Sequence, residues 1–478
     1  IEKIEKLKEA GMEAYLTKVE RSHTLKEVTE TFVEGISAEL VGRVMAIRGS
    51  GAISFIVIND GTAEFQVVLK KDSIDESLMS LFSDTVDVGD FVSFKGETFV
   101  TKRGTHSLLA GSWIMAGKSL LPLPDKHAGL QDQDEIYRKR YLQTLTDTAA
   151  SERFVLRSKI ITAIRDFFNQ RDFMEVETPI LQNQAGGAMA ETFKTHHNDL
   201  DIPMVLRISL ELEHKMLMAG GYSRIYEIGK NFRNEGSDPT HIQEFTMMEW
   251  YAAYEDLDQN MQWTEELLTY LAKEIVGKTS FNVSSKEGEI QLVDFTGPWE
   301  RVRFDDLLRK NADLDVQKAS FEEVQAKAIE YGIQKDELAT TGKANLLDYI
   351  FKKSSRSIIM NPTFVTNYPG DLKPLAQQND DGTAEVAQLI IAGAEITNQY
   401  AELVNPLIQR SLLESQALAK EQGDKEAMEV DESFITAMEH GMPPMTGFGM
   451  GIDRLVALFT EQHNLRDIIF FPIMKEKK

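Results

Sequence analysis

Two short stretches of this chain concentrate side chains that could hold a charged nucleotide. The first is Phe232-Arg233-Asn234-Glu235, followed after a loop by Glu244-Phe245-Thr246-Met247-Met248-Glu249-Trp250-Tyr251. Read as two strands, it sets Arg233 and Glu235 in step on one and Phe245, Glu249 and Tyr251 in step on the next, so each set shares a sheet face. The second stretch is Gly449-Met450-Gly451-Ile452-Asp453-Arg454. There a glycine-rich strand end runs into a helix, where helix dipole and guanidinium both favour a phosphate.

A scaffold must bring these stretches together. The 478 residues, 42% of them hydrophobic, exceed one ordinary domain and can fill more than one core. No apolar run approaches the roughly 18 residues of a membrane span, and the N-terminus is charged, which predicts a soluble, cytoplasmic protein without a membrane partner. Ile1 in place of Met implies that residues of the natural chain precede it. With no cysteine, disulfides, thiolate metal sites and cysteine nucleophiles are excluded. A net charge of -24 argues against broad nonspecific binding of nucleic acid, so such a partner would need local basic patches.

Along the chain, residues 1–37 read as a helical leader, with Ile4, Leu7 and Ala10 at helical spacing and Gly11 as a stop. Residues 38–120 carry five strand candidates (Leu40 to Ile47, Ala52 to Ile58, Glu64 to Leu69, Phe91 to Phe94, Ser107 to Ile114) and a helical piece, Asp75 to Phe82, between the third and fourth. That order suits an OB fold, and equally another small barrel or sandwich. Leu121-Pro122-Leu123-Pro124-Asp125-Lys126 opens a linker over 121–150. The remainder, 151–478, begins with a helix striped by Leu156, Ile160, Ile164 and Phe167, which suits an interface or a core equally. A charged helical insertion is expected around 308–356, with Phe321, Val324, Ala328 and Ile329 as its apolar face.

The Arg233 and Arg454 stretches resemble motifs 2 and 3 of the class II aminoacyl-tRNA synthetases, and Asp172-Phe173-Met174-Glu175-Val176-Glu177-Thr178-Pro179 resembles motif 1. With the OB-like segment, the likeness spans nearly the whole chain and is greatest to the bacterial-type lysyl branch. The resemblance implies an α+β multidomain protein, with an N-terminal OB-fold β-barrel and a catalytic domain built on an antiparallel sheet flanked by helices. It further implies a lysine-tRNA ligase that uses ATP and Mg2+, with L-lysine and tRNA(Lys) as substrates and a homodimer formed through motif 1.

Residue by residue, the resemblance assigns catalysis to Arg233 and Arg454. Arg233 would meet the α-phosphate and the substrate carboxylate, since a planar fork bridges two oxyanions, and Arg454 the γ-phosphate. Phe245 would stack on adenine, Glu235 accept from its amino group, and His241 lie near the pyrophosphate. Glu211 and Glu402 would clasp the ε-ammonium of lysine with Tyr251 and Glu249 beside them, because a buried ammonium needs carboxylates. Asn398 would hold the substrate carboxylate, and Gly186 admit backbone to the α-amino group. Magnesium in the family is bridged by two acids seven residues apart. Glu395 supplies one, but Gln388 stands at the other position, so a higher magnesium requirement is expected. Arg48, Phe55 and Gln66 match anticodon-binding positions, while Thr105 and Ile47 depart from the pattern. Three alternatives stay open: a paralogue that lysylates a protein, a noncatalytic OB-fold tRNA-binding adaptor, and an aspartyl- or asparaginyl-type enzyme.

Overall fold

A computed structural model describes residues 1–478 apart from 50, 125–128, 189, 285–289, 335–337, 339–340, 422–429 and 477–478. Asp125 and Lys126 of the proline-rich segment therefore lie outside the described residues. The chain divides into two compact units, Ile1–Gln133 and Asp134–Lys478.

In the first unit, β1 (Ser37–Arg48), β2 (Ile53–Asn59), β3 (Glu64–Lys70), β4 (Phe91–Val100) and β5 (His106–Gly117) close a barrel in the order β1-β2-β3-β5-β4. The helix Glu76–Thr85 lies between β3 and β4, its N-terminus capped by Asp75. Ser54, Ile56 and Ile58 of β2 turn inward while Phe55 and Val57 remain part-exposed, the period-2 pattern of a half-buried strand. The fourth and fifth strands run several residues beyond their apolar runs, because paired backbone continues through polar sequence. The leader is helical over Glu2–Glu9, and its Leu7 is fully buried in the barrel's own core.

The second unit is built on a sheet of eight strands. In chain order these are β6 (Met174–Glu175), β7 (Arg224–Phe232), β8 (Glu244–Ala253), β9 (Glu300–Arg303), β10 (Thr363–Thr366), β11 (Val386–Ile391), β12 (Ala394–Ala401) and β13 (Met445–Gly451). Their order across the sheet is β9-β10-β11-β12-β13-β8-β7-β6, with β9/β10 and β7/β6 parallel and the other pairs antiparallel. One face carries the main core, where Met248 and Trp250 of β8 lie opposite Met450 and Phe448 of β13. The other face carries the functional side chains.

One open reading is decided and two expectations change. The helix Thr148–Asn169 packs Ile160, Ile164 and Phe167 into this same core, with Leu156 against it, so the stripe is filled from within the chain. In the helical region between β9 and β10, Val324 and Ala328 are buried but Phe321 and Ile329 are exposed, which narrows the apolar face. The strand before the Arg233 loop stops at Phe232. Arg233 keeps one more rung, donating its N–H to the Gln243 carbonyl at 2.8 Å, but the Asn234 N–H turns to the Glu191 carbonyl at 2.9 Å. Arg233 and Glu235 thus sit on a loop, not in step on a strand.

Candidate active site

Strand β13 explains the open face. Gly447, Gly449 and Gly451 occupy alternate positions, so the central strand presents a stripe without side chains. Across one edge they pair with Tyr251, Glu249 and Met247 of β8; across the other, Gly447 and Gly449 pair with Tyr400 and Asn398 of β12. The result is a trough walled by long polar side chains, and it forms a cavity of about 340 Å³. A Cβ on Gly447 would collide with the Glu402 carboxylate and the Tyr251 ring, which fixes how closely those two groups approach the strand.

Eleven of the expected catalytic-unit residues line this single cavity: Glu211, Arg233, Glu235, His241, Phe245, Glu249, Tyr251, Glu395, Asn398, Glu402 and Arg454. Gly186 does not line it. Its neighbour Gly187 does, in the left-handed region at φ +77° and packed on Ser209 and Glu211, so close backbone approach occurs one residue later than expected. Gln388 also stays off the wall. It is buried on β11, opposite the wall residue Asn398.

Arg233 donates from both Nε and Nη2 to the Ile208 carbonyl at 3.3 Å and lies 5.2 Å from the Phe245 ring centroid. Arg454, the third residue of the helix Ile452–Phe459, donates to the Glu395 carbonyl at 3.0 Å and to His241 Nε2 at 3.0 Å. The His241 ring is held in turn by Asp238 at 2.9 Å. At the helix start, Asp453 accepts from the Thr246 N–H at 2.7 Å and pairs with Arg157 at 2.6 Å, tying β8 to the motif that carries Arg454.

The opposite end of the trough is acidic. Glu249 accepts from Ser209 Oγ at 3.1 Å, from the Leu210 N–H at 3.2 Å and from Tyr251 Oη at 3.2 Å. Burial, and next the charge of Glu211, push its carboxyl up to about 7. Glu402 is pushed to about 8 by burial, against the pull of a lysine. That lysine is Lys215, which composition and motif did not single out. It is fully buried, with its ammonium 2.7 Å from Glu211 and 2.5 Å from Glu402. The two acids expected to wait for an external amine therefore already share an internal one. Lys215 stands four residues after Glu211 on the helix Glu211–Ala219, a spacing that marks a side-chain pair and could have revealed it.

Behind the wall, Glu227 joins four segments. It pairs with Arg207 at 2.8 Å and with His214 at 3.0 Å, and accepts from the Thr178 N–H and hydroxyl at 3.0 and 2.8 Å. Although burial opposes ionisation, hydrogen bonds from His214 and Thr178 and the charge of Arg207 hold the carboxyl below its ordinary range. Burial lowers His214, so its ring is the neutral partner.

In the barrel unit, Arg48 and Phe55 are register partners, and Gln66 pairs with Val57, two residues along β2 from Phe55. Phe55 is part-exposed and outside the barrel core. Gln66 donates to Ser107 Oγ at 2.8 Å. Ile47 packs against the core, so a basic residue would not suit that position.

Fold and site together define a class II aminoacyl-tRNA synthetase. The family model for class II tRNA synthetases (D, K and N) matches residues 132–475, and that for the OB-fold nucleic acid binding domain matches 38–116. A protein of Lactococcus lactis named lysine-tRNA ligase is 40% identical, the match covering 99% of this chain and 97% of that protein. A lysine-tRNA ligase of Thermotoga maritima is 39% identical over 100% of this chain and 95% of its own length. The chain belongs to the lysine-tRNA ligase family of class II synthetases.

Glu227→Leu strands Arg207 in the interior and frees Thr178. Urea unfolding of the variant is expected to show a loss of about 3–5 kcal/mol; a loss below about 1 kcal/mol would contradict the bracing role.

Proposed function

We propose that this chain activates lysine with ATP and transfers it to the 3' end of tRNA(Lys), with the cavity on the sheet as its active site. One observation carries this: a single trough places two arginines at one end and a cluster of buried carboxylates at the other. The arginines suit a triphosphate, and the acids suit a long-chain amine. Glu402 and Tyr251 flank the Gly447 gap and Glu249 lies beside Gly449, bonded to Tyr251 Oη, so the ε-ammonium would meet the two acids there while Glu211 shares the charge of Lys215. Gly187 and Ser209 lie beside Glu211 and would receive the α-amino group in place of Gly186.

In the first step the lysine carboxylate oxygen attacks the α-phosphorus; a C–O–P bond forms and the bond to the pyrophosphate oxygen breaks. Arg233 would neutralise the α-phosphate and hold the carboxylate with Asn398, whose buried Oδ1 has no partner among the described residues. Phe245 offers a flat face to adenine with Glu235 beside it, and Arg454, steadied by His241, would take the outer phosphates. No side chain need act as base, since positioning and charge neutralisation suffice. In the second step the terminal ribose hydroxyl of tRNA displaces AMP.

Among the described residues no group of three His, Asp or Glu could hold a metal unaided. Glu395 on the wall with Gln388 behind it nevertheless suits magnesium, which binds through one or two protein oxygens plus phosphates and water. Bound there, Mg2+ would offset phosphate charge. A homodimer through motif 1 is supported by the exposed apolar side chains of Val155, Met174, Ile180 and Leu181. No helix among the described residues is long and apolar enough to cross a membrane, and a cytoplasmic location fits a role in translation.

ATP-pyrophosphate exchange with single amino acids tests this reading. Exchange should depend on lysine, and exchange driven by aspartate or asparagine, or none, would overturn it. Gly447→Ala narrows the slot and should raise the KM for lysine about tenfold while leaving that for ATP within about twofold. Because the raised carboxyls of Glu402 and Glu249 gain protons as pH falls through about 8 and about 7 respectively, the negative charge facing the amine is lost on acidification. The KM for lysine should therefore climb as pH is lowered, and a flat profile would contradict it. In the barrel, Phe55→Ala should raise the KM for tRNA about tenfold and spare exchange; equal losses would remove the anticodon role.

A further inference from the structure

One cation of the cavity wall has no part in the roles above. Lys373 follows the turn Gly370–Leu372 and precedes Pro374, and its backbone is fixed on both sides, its N–H donating to the Gly370 carbonyl at 2.9 Å and its own carbonyl accepting from Gln378 Nε2 at 3.0 Å. Its side chain lines the same cavity as Arg233 and Arg454. Among the described residues its ammonium makes no ion pair or hydrogen bond. Instead it lies 5.4 Å from the Tyr368 ring centroid and 5.8 Å from that of Tyr400. Aromatic faces can hold a cation without neutralising it. A desolvated ammonium with no carboxylate bonded to it favours an incoming anion.

Its surroundings say which anion. Tyr400 accepts from Asn398 Nδ2 at 2.8 Å, and Asn398 lies opposite Gln388 on the next strand. Burial disfavours the charged form of Lys373, and the nearby charge of Glu395 opposes this. Lys373 and Glu395 line the same cavity, and Gln388 is buried opposite the wall residue Asn398, on the strand where a carboxylate would have strengthened a metal. An amide at 388 and an ammonium at 373 make this end two charges more positive than a carboxylate and a neutral side chain would.

We propose that Lys373 is a third phosphate-binding cation, contacting the triphosphate of ATP directly and supplying part of the neutralisation that Gln388 no longer recruits through magnesium. The inference rests on the ATP-binding role given to this cavity. It also predicts that ATP binds appreciably without metal.

Calorimetric titration of metal-free ATP, in EDTA, into the full-length protein tests this apart from turnover. Lys373→Met should weaken metal-free ATP about tenfold, and Lys373→Arg should keep it within about threefold, with lysine binding unchanged in both. In exchange assays Lys373→Met should also shift the half-saturating magnesium concentration several-fold upward, and adding Gln388→Glu should reverse that shift. Unaltered metal-free ATP binding in Lys373→Met would overturn the proposal, as would a parallel loss of lysine binding, or a Lys373→Arg variant as weak as Lys373→Met. If the wild-type protein binds no ATP in either the presence or absence of magnesium, it is the function of the cavity that fails instead.

Discussion

The catalytic unit depends on burying carboxylates beside one another and beside a lysine that keeps part of their charge. Glu249 and Glu402 are buried in the trough beside Glu211, where burial and the charge of neighbouring acids favour protonation of these two. Lys215 makes the cluster tenable: its ammonium bridges Glu211 and Glu402 from within a helix turn, leaving the set anionic overall but not by three full charges. A ligand ammonium then completes a balance that the chain leaves unfinished. This also accounts for a selective site in a protein that is acidic throughout, since surface acids are solvated and offer no desolvated partner to an amine.

Backbone and side chains cooperate to keep that arrangement open. The glycines of β13 clear the floor, the register of β8 and β12 raises the walls, and the Glu227 network braces the segments that carry Thr178, Arg207 and His214. Asp453 performs the same service at the phosphate end through Thr246 and Arg157. Each of these buried charges has partners on more than one element. Displacing one element would therefore expose an unpaired charge, a cost that favours a rigid trough.

Much of this was legible in the sequence wherever chemistry and periodicity coincide. Alternation revealed the barrel strands and the face bearing Glu249 and Tyr251, and the two arginine stretches marked residues that do converge on one cavity. Less was visible where the decisive contact is long-range. Lys215 looks like one more charge on a helix until Glu402 arrives from a distant strand, and Lys373 resembles any solvated lysine until two tyrosine rings enclose it. Arg233 was drawn onto a strand because alternation continues past Phe232, whereas the Asn234 N–H finds Glu191 and ends the ladder. Gly186 and Gly187 could not be separated by residue type; only backbone conformation distinguishes them. The stripe on the helix Thr148–Asn169 suited core and interface alike, and packing decided for the core.

The central claim, that one trough holds a triphosphate at its arginine end and an amine at its acidic end, is tested most directly by a crystal structure with lysine and a nonhydrolysable ATP analogue. The account predicts the ε-ammonium between Glu249 and Glu402, with the phosphates between Arg233 and Arg454. Lysine bound with its ammonium away from those acids, or phosphates seated elsewhere, would contradict it.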